Sequence, residues 1–454
     1  MSDFRFPKSL SNYFNVGNQR TLRTTINVAL SFAVKGLSIV INLALVPLTI
    51  NYISSNQYGI WLTLSSIIGW LLFFDVGFGN GLRNRFAESV AKHEFLEARI
   101  YVSTTYVTVT CIVVVLFLLF CCINPFLNWS AILNAPDVLS GELSMLALVV
   151  FSFFCIQYIL QLLSTILTAN QQPAKASLFN FLGGFLSLII IFILTKTTHG
   201  NLVYLGFALG ASPIVVLTIA SIWLFTHEYG RYSPSLKLFR LSSVKSLMSL
   251  GIQFFVLQIV WIVVFASGNI IVAQLFGPAE VTSYNIAFRY FSVVTMVFNI
   301  FSAPYWSAFT EAFVKADIEW IQKSTGFLIK IWLVLSLGTI VMMIFSNFVY
   351  KLWIGERVNI PISLSILMGI FTMISNWNSI FVNLLNGIGR IRLQMYIAII
   401  LGVINIPMSI FLGIHIGIEG VIMSSCICLL FGSILTPIQH RKLLRGTATG
   451  IWAK

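Results

Sequence analysis

The chain has 454 residues, of which 58% are hydrophobic and only 9% charged, with a mean hydropathy of +0.92 and a net charge of +13. A soluble domain carries about 25% charged residues, so a soluble enzyme or nucleic-acid-binding module is excluded, and the positive charge has to be read as membrane topology. Apolar runs of about 20 residues match the ~30 Å of a bilayer core crossed as helix, and strand-type alternation is absent.

Backbone polar groups in lipid must be satisfied within each crossing segment, which leaves helices. Twelve spans are predicted, at 25–48, 59–80, 100–122, 144–168, 177–195, 203–225, 248–275, 284–308, 327–348, 362–386, 393–414 and 416–438. Residues 1–24 are polar and basic and lack the apolar core of a cleavable signal peptide, so the first span reads as an uncleaved anchor. Spans 25–225 form an N-terminal six-helix lobe and 248–438 a C-terminal one, joined by a linker over 226–247 and followed by a tail over 439–454. The fold class is all-α: a polytopic protein with two pseudo-symmetric lobes around a central cavity.

The basic residues test this layout. With twelve spans, 21 of the 27 Lys and Arg fall on the side of the termini, and Lys196, Lys351 and Arg357 on the other, leaving Lys35, Arg289 and Lys330 inside spans. Such a bias places both termini in the cytoplasm. The loops are too short for an extramembrane domain. The six cysteines lie in or beside apolar runs without metal-ligand spacing and read as small packing residues.

Two matches relate the halves. Phe86-Ala-Glu88-Ser-Val-Ala-Lys92 recurs as Phe309-Thr-Glu311-Ala-Phe-Val-Lys315, and Gln157, Gln161, Thr165 and Thr168 of the fourth span correspond to Ser375, Ser379, Asn383 and Asn386 of the tenth. Equivalent spans share one orientation, so the repeat axis runs along the membrane normal and the lobes enclose a cavity suited to alternating access.

Within the spans, polar residues mark that cavity. Lys35 stands ~15 Å into the first span at 1.5 Å per residue, where a lysine costs about 2.5–3.5 kcal/mol and must face protein or water. Asn27, Ser31, Ser38 and Asn42 share its face. The alternative is a structural pairing with a neighbouring helix. Asp75 is the one acid well inside a span. It is either a proton-coupling group or a structural partner of Lys35 or Arg83. Arg289 lies in the eighth span near Asn285, Ser292 and Asn299, facing the cavity or snorkelling outward. Lys330 is expected to snorkel. Thr372, Asn376, Ser379, Asn383 and Asn386 give the tenth span a face too polar for lipid, which either lines the cavity or bonds to a neighbouring helix, and Gln161 supplies its counterpart in the fourth. Arg83 and Arg85 sit at the cytoplasmic mouth, where topology alone also puts basic residues. Two or three cations against one acid favour an anionic substrate.

The run Tyr58-Gly-Ile-Trp-Leu-Thr-Leu-Ser-Ser-Ile-Ile-Gly69, with Phe74-Asp-Val-Gly-Phe-Gly-Asn-Gly-Leu-Arg-Asn-Arg85 and Phe86-Ala-Glu88, resembles polysaccharide-biosynthesis flippases of the Wzx type. These belong to the multidrug/oligosaccharidyl-lipid/polysaccharide exporter superfamily. The span layout fits over the whole chain; the specific motif is confined to 58–92. The resemblance implies two six-helix lobes opening alternately to each side. It also implies an undecaprenyl-diphosphate-linked O-antigen-type repeat unit, moved from the cytoplasmic to the periplasmic leaflet of the inner membrane, in some members with proton exchange. Expected partners are that lipid-linked oligosaccharide, the bilayer and other polysaccharide-assembly membrane proteins; no nucleic acid, cofactor or metal is expected. The rivals are a multidrug antiporter of the same fold, a channel, and a membrane polymerase or glycosyltransferase, the last disfavoured because no paired carboxylates stand in an external loop.

Overall fold

The computed structural model describes residues 19–69, 78–170, 172–248, 267–302, 305, 309, 312–313, 316–388, 390 and 392–453. Among them the first lobe contains α1 (Gln19–Tyr52), α2 (Ser55–Gly69), α3 (Phe78–Ala91), α4 (Phe95–Ile123), the short α5 (Trp129–Leu133), α6 (Ser140–Leu160), α7 (Leu162–Ala169), α8 (Pro173–Thr197) and α9 (Leu202–Thr226). The second contains α10 (Gly268–Phe276), α11 (Pro278–Ser302), α12 (Ile318–Ile344), the short α13 (Ser346–Ile354), α14 (Ile362–Gly387), α15 (Arg392–Ile416) and α16 (Ile418–Leu444). The described residues contain no strand.

Nine stretches of described residues are long and apolar enough to cross a membrane. Each coincides with an expected span. Of the remaining three, 59–80 and 248–275 fall partly outside the described residues, and 284–308 runs beyond Ser302 out of them. The fourth expected span is two helices: α6 ends and α7 begins at Gln161, whose amide still bonds the Gln157 carbonyl. All six cysteines are unpaired.

The repeat reaches the level of single backbone angles. After α3, His93 adopts φ +61; 223 residues later Ala316 adopts φ +55. Each is followed by an acidic N-cap in the same conformation, Glu94 (φ −87, ψ 66) and Asp317 (φ −82, ψ 71). The bonds correspond too: the His93 and Ala316 amides donate to Val90 and Phe313, and the Glu94 and Asp317 amides to Ser89 and Ala312. Phe86 and Phe309, which open the repeated heptapeptide, are both fully buried. At the other end, α5 closes on left-handed Asn134 and α13 on Gly355 (φ +78), and each is followed by an N-capping proline, Pro136 and Pro361.

Proline shapes the packing inside the helices. Pro47 lies within α1 and has no N–H for the Leu43 carbonyl. The indole N–H of Trp353, at the end of α13 in the other lobe, donates to that carbonyl at 2.9 Å. Pro437 in α16 likewise frees the Ser433 carbonyl, which accepts from the Trp377 indole of α14 at 3.1 Å.

The lobes meet at the end that carries the α1–α2 turn. Asn134 Nδ2 donates to the Ala273 carbonyl at 2.9 Å, and Gln274 Nε2 to those of Ala131 and Ile132 at 2.9 and 2.6 Å. Thr282 Oγ1 donates to the Ser55 carbonyl at 2.6 Å. Asn269 Nδ2 donates to Ser66 Oγ at 2.6 Å and its Oδ1 accepts from Asn285 Nδ2 at 2.7 Å. Here Gly59 of α2 packs so closely on Pro278 of α11 that a Cβ would stand 1.6 Å from the Pro278 carbonyl oxygen. The short helices α5 and α13 make related contacts, α5 with α10 and α13 with α1, each crossing to the opposite lobe. The interlobe hydrogen bonds named here all lie at this end of the bundle.

Candidate functional site

Below this closure lies a cavity of about 710 Å³ between α1, α11 and α14. Helical spacing makes each wall. On α11, Asn285, Arg289, Ser292, Met296 and Asn299 follow one another at three or four residues, and on α14 so do Thr372, Ser375 and Ser379. The first lobe contributes Ile39, Asn42 and Leu43 of α1. Arg289 is the one charged side chain among the described residues lining the cavity. It is half-buried, and its Nη1 reaches across the lobes to the Asn42 carbonyl at 3.5 Å. Phe288 and Phe371, with ring centroids 6.5 Å apart, supply aromatic surface beside it.

Of the residues singled out in the sequence, Asn42, Asn285, Arg289, Ser292, Asn299, Thr372, Ser375 and Ser379 therefore share one wall system. Lys35 is exposed and is not in contact with the cavity described here, but it lies four and seven residues before Ile39 and Asn42, on the same face of α1. It stands about 10 Å from Asn42 along the axis at 1.5 Å per residue, toward the open end. Asn383 continues the face of Ser379 in the same direction and is half-buried. Asn376 falls at the edge of that stripe and is only 2% exposed, its Oδ1 without a hydrogen-bond partner and away from the cavity wall. Gln161 is half-buried at the α6–α7 break and does not line the cavity. Lys330 is exposed on α12. Asp75 lies outside the described residues. Arg83 is exposed on α3, and Arg85 donates to Glu88 at 3.0 Å. Glu88 also accepts from Lys92 at 2.7 Å, and these two bonds, Lys92 first, hold its carboxyl below the usual range.

Sequence reasoning missed Phe288 and Phe371, because an aromatic residue in an apolar helix carries no mark distinguishing cavity from core. It also missed the Arg289–Asn42 bridge, since a backbone acceptor leaves no trace in residue identity. Among the described residues no group of His, Cys, Asp and Glu has the arrangement of a metal site.

Two lobes of membrane-crossing helices around an arginine-bearing cavity closed at one end define a multi-pass membrane protein of transporter type. The chain belongs to the family described as polysaccharide biosynthesis protein, which matches residues 24–310. It is 23% identical over 414 residues to an O-antigen transporter of Salmonella typhimurium, an alignment covering 87% of this chain and 92% of the relative. An O-antigen export protein of Yersinia pseudotuberculosis is 20% identical over 372 residues, with 78% and 81% covered. Among solved structures, the inward-facing conformation of a multidrug resistance MATE family transporter of the MOP superfamily superposes with a TM-score of 0.74 at 16% identity, over 93% of this chain and 100% of that one. A MATE protein in complex with MaD3S gives 0.67 at 17% identity, over 98% and 99%. These likenesses establish the MATE fold.

Proposed function

We propose that the protein is a flippase for an undecaprenyl-diphosphate-linked oligosaccharide of the O-antigen type. It would carry the unit from the cytoplasmic to the periplasmic leaflet of the inner membrane by alternating access. The observation that carries this reading is the cavity: one arginine and no lining carboxylate among the described residues, with amide, hydroxyl and aromatic groups set among the apolar Ile39, Leu43, Val293 and Met296. An anionic diphosphate or acidic sugar would be held by Arg289, because a charge-assisted bond in a water-poor site is strong. Asn42, Asn285, Ser292, Asn299, Thr372, Ser375 and Ser379 would satisfy sugar hydroxyls, and Phe288 and Phe371 the apolar faces of sugar rings. Lys35 would meet the anion on its way in, and the polyprenyl tail would remain in lipid. Asp75 is the proposed coupling residue. The basic loops would face the cytoplasm, so this structure would be closed on the periplasmic side.

A multidrug antiporter shares the fold, but a cation cargo calls for carboxylates, and the described lining has none. The test is the sidedness of undecaprenyl-diphosphate glycan in cells lacking the chromosomal gene and complemented with the parent or with Arg289→Gln. The parent should restore periplasmic glycan and surface polysaccharide, and R289Q should leave the lipid-linked unit on the cytoplasmic face. Unchanged sidedness on deletion would overturn the flippase reading; full complementation by R289Q would overturn the anion site.

A further inference from the structure

A second cavity, of about 230 Å³, lies far from the first, at the end of the N-terminal lobe opposite the closure. It is framed by the start of α4, the end of α7 and the linker after α9. Arg231 forms its charged wall. The guanidinium carbon stands 4.6 Å from the centroid of the Phe95 ring and 5.1 Å from that of Tyr232. Tyr232 is itself fixed: it is buried and meets Phe86 edge-on at 5.0 Å. Cation–π attraction to the two rings holds the guanidinium and does not use up its N–H donors. Yet Arg231 makes no hydrogen bond and no ion pair with the described residues, whereas three cations near it are matched. Lys92 has Glu88 at 2.7 Å, Lys175 has Glu228 at 2.5 Å, and Arg240 has Glu97 at 3.1 Å.

The opposite wall is already satisfied. Glu228 accepts from Lys175 and from Gln172, which, with the Lys175 bond dominant, hold its carboxyl below the usual range. Asn170 Nδ2 donates to the Tyr229 hydroxyl at 2.7 Å. His93 completes the mouth. The cavity thus carries, beside the Lys175-paired Glu228, one exposed guanidinium without a partner among the described residues, and room for a phosphate with the group esterified to it.

Its depth indicates where the anion comes from. The linker is pinned along α4: Arg99 Nε donates to the Ser233 carbonyl at 2.9 Å, and Ser103 and Thr104 accept from the Ser235 and Arg240 amides. From this pinned segment Leu236 and Leu241 project with 82% and 74% exposure, and Leu96 and Trp223 are exposed beside it. Large apolar side chains held out on a lobe end, with tryptophan among them, mark the level where headgroups meet hydrocarbon.

We propose that this cavity binds the phosphate of a lipid headgroup, with Arg231 as the anion's partner. The phosphate belongs either to an anionic phospholipid or to a polyprenyl-linked diphosphate, and both offer the same chemistry. The proposal is independent of the central cavity. It is tested on the full-length protein carrying Arg289→Gln, which silences the central arginine, in phosphatidylcholine nanodiscs titrated with phosphatidylglycerol or with undecaprenyl diphosphate and read by native mass spectrometry of lipid adducts.

Added Arg231→Gln should weaken the adduct about tenfold or more, as loss of a charge-assisted bond requires, and Arg231→Lys should restore part of it. Val90→Phe, which fills the cavity while keeping Arg231, should weaken it as well and covers the case in which R231Q fails to fold. Loss confined to phosphatidylglycerol identifies a phospholipid site, and loss confined to the diphosphate identifies an approach site for the lipid-linked anion. Adducts that depend on neither Arg231 nor Val90 would overturn the proposal.

Discussion

Gly59→Ala tests the closure between the lobes directly. The new methyl would stand 1.6 Å from the Pro278 carbonyl oxygen and 2.5 Å from its carbon, both backbone atoms that no side-chain rotation can remove. Reaching ordinary contact at 3.4 Å requires α2 and α11 to separate by roughly 1.8 Å. Overpacking of this kind costs about 1–3 kcal/mol. The cost falls on the closed arrangement alone, because parted lobes leave the methyl in open space. The equilibrium should therefore move away from closure by roughly 5- to 150-fold. The assay places a single cysteine at Val281, fully buried at this interface, in a background without the six native cysteines. Labelling by a membrane-impermeant maleimide from the face of the α1–α2 turn should accelerate in G59A. An unchanged labelling rate, with an unchanged melting temperature, would refute the claim that Gly59 permits the lobes to close.

Removing the indole donor by Trp353→Phe leaves the Leu43 carbonyl unpaired and should destabilise the closed form by about 1–3 kcal/mol; Pro47→Ala returns an internal donor, so a double-mutant cycle on labelling rates should show coupling of the two changes. Ala316→Gly should raise the melting temperature, because a non-glycine residue at φ +55 costs about 1–2 kcal/mol and glycine's own entropy returns only part of it; a fall would show that the turn is not strained. Glu228 has a depressed folded pKa, so its pairing with Lys175 stabilises above the ordinary carboxylate range and is lost as pH falls through the depressed value. Acidification should thus lower the melting temperature of the parent more than that of Glu228→Gln, by no more than the ~1 kcal/mol of a surface pair.

Much of the fold could be read because lipid imposes length and composition on every crossing segment. The heptapeptide that relates Phe86 to Phe309 proved to end in the same turn twice, although nothing in the identities of His93 and Ala316 announces a shared left-handed conformation. Arg289 stood out because its charge is so costly in a span, and Ser379 because hydroxyl and amide residues recur at helical spacing. The same periodicity overreached at Asn376: a stripe drawn on a helix has edges, and only neighbouring helices decide which edge is wetted. Interlobe contacts were hidden for another reason. Pro47 shows in the sequence that a carbonyl goes unpaired, but the donor that meets it lies 310 residues away. Gly59 reads as an ordinary helix-packing glycine until the opposing carbonyl is seen.

The carbonyl left free by Pro47 changes what parting the lobes entails. A hydrogen bond borrowed from a regular helix must be taken from the ladder and given back. The Leu43 oxygen belongs to no ladder, so Trp353 can dock and leave without any turn of α1 winding or unwinding. The helix behaves as a finished part with a socket in its side, and the lobes can separate there as rigid pieces, water taking the place of the indole.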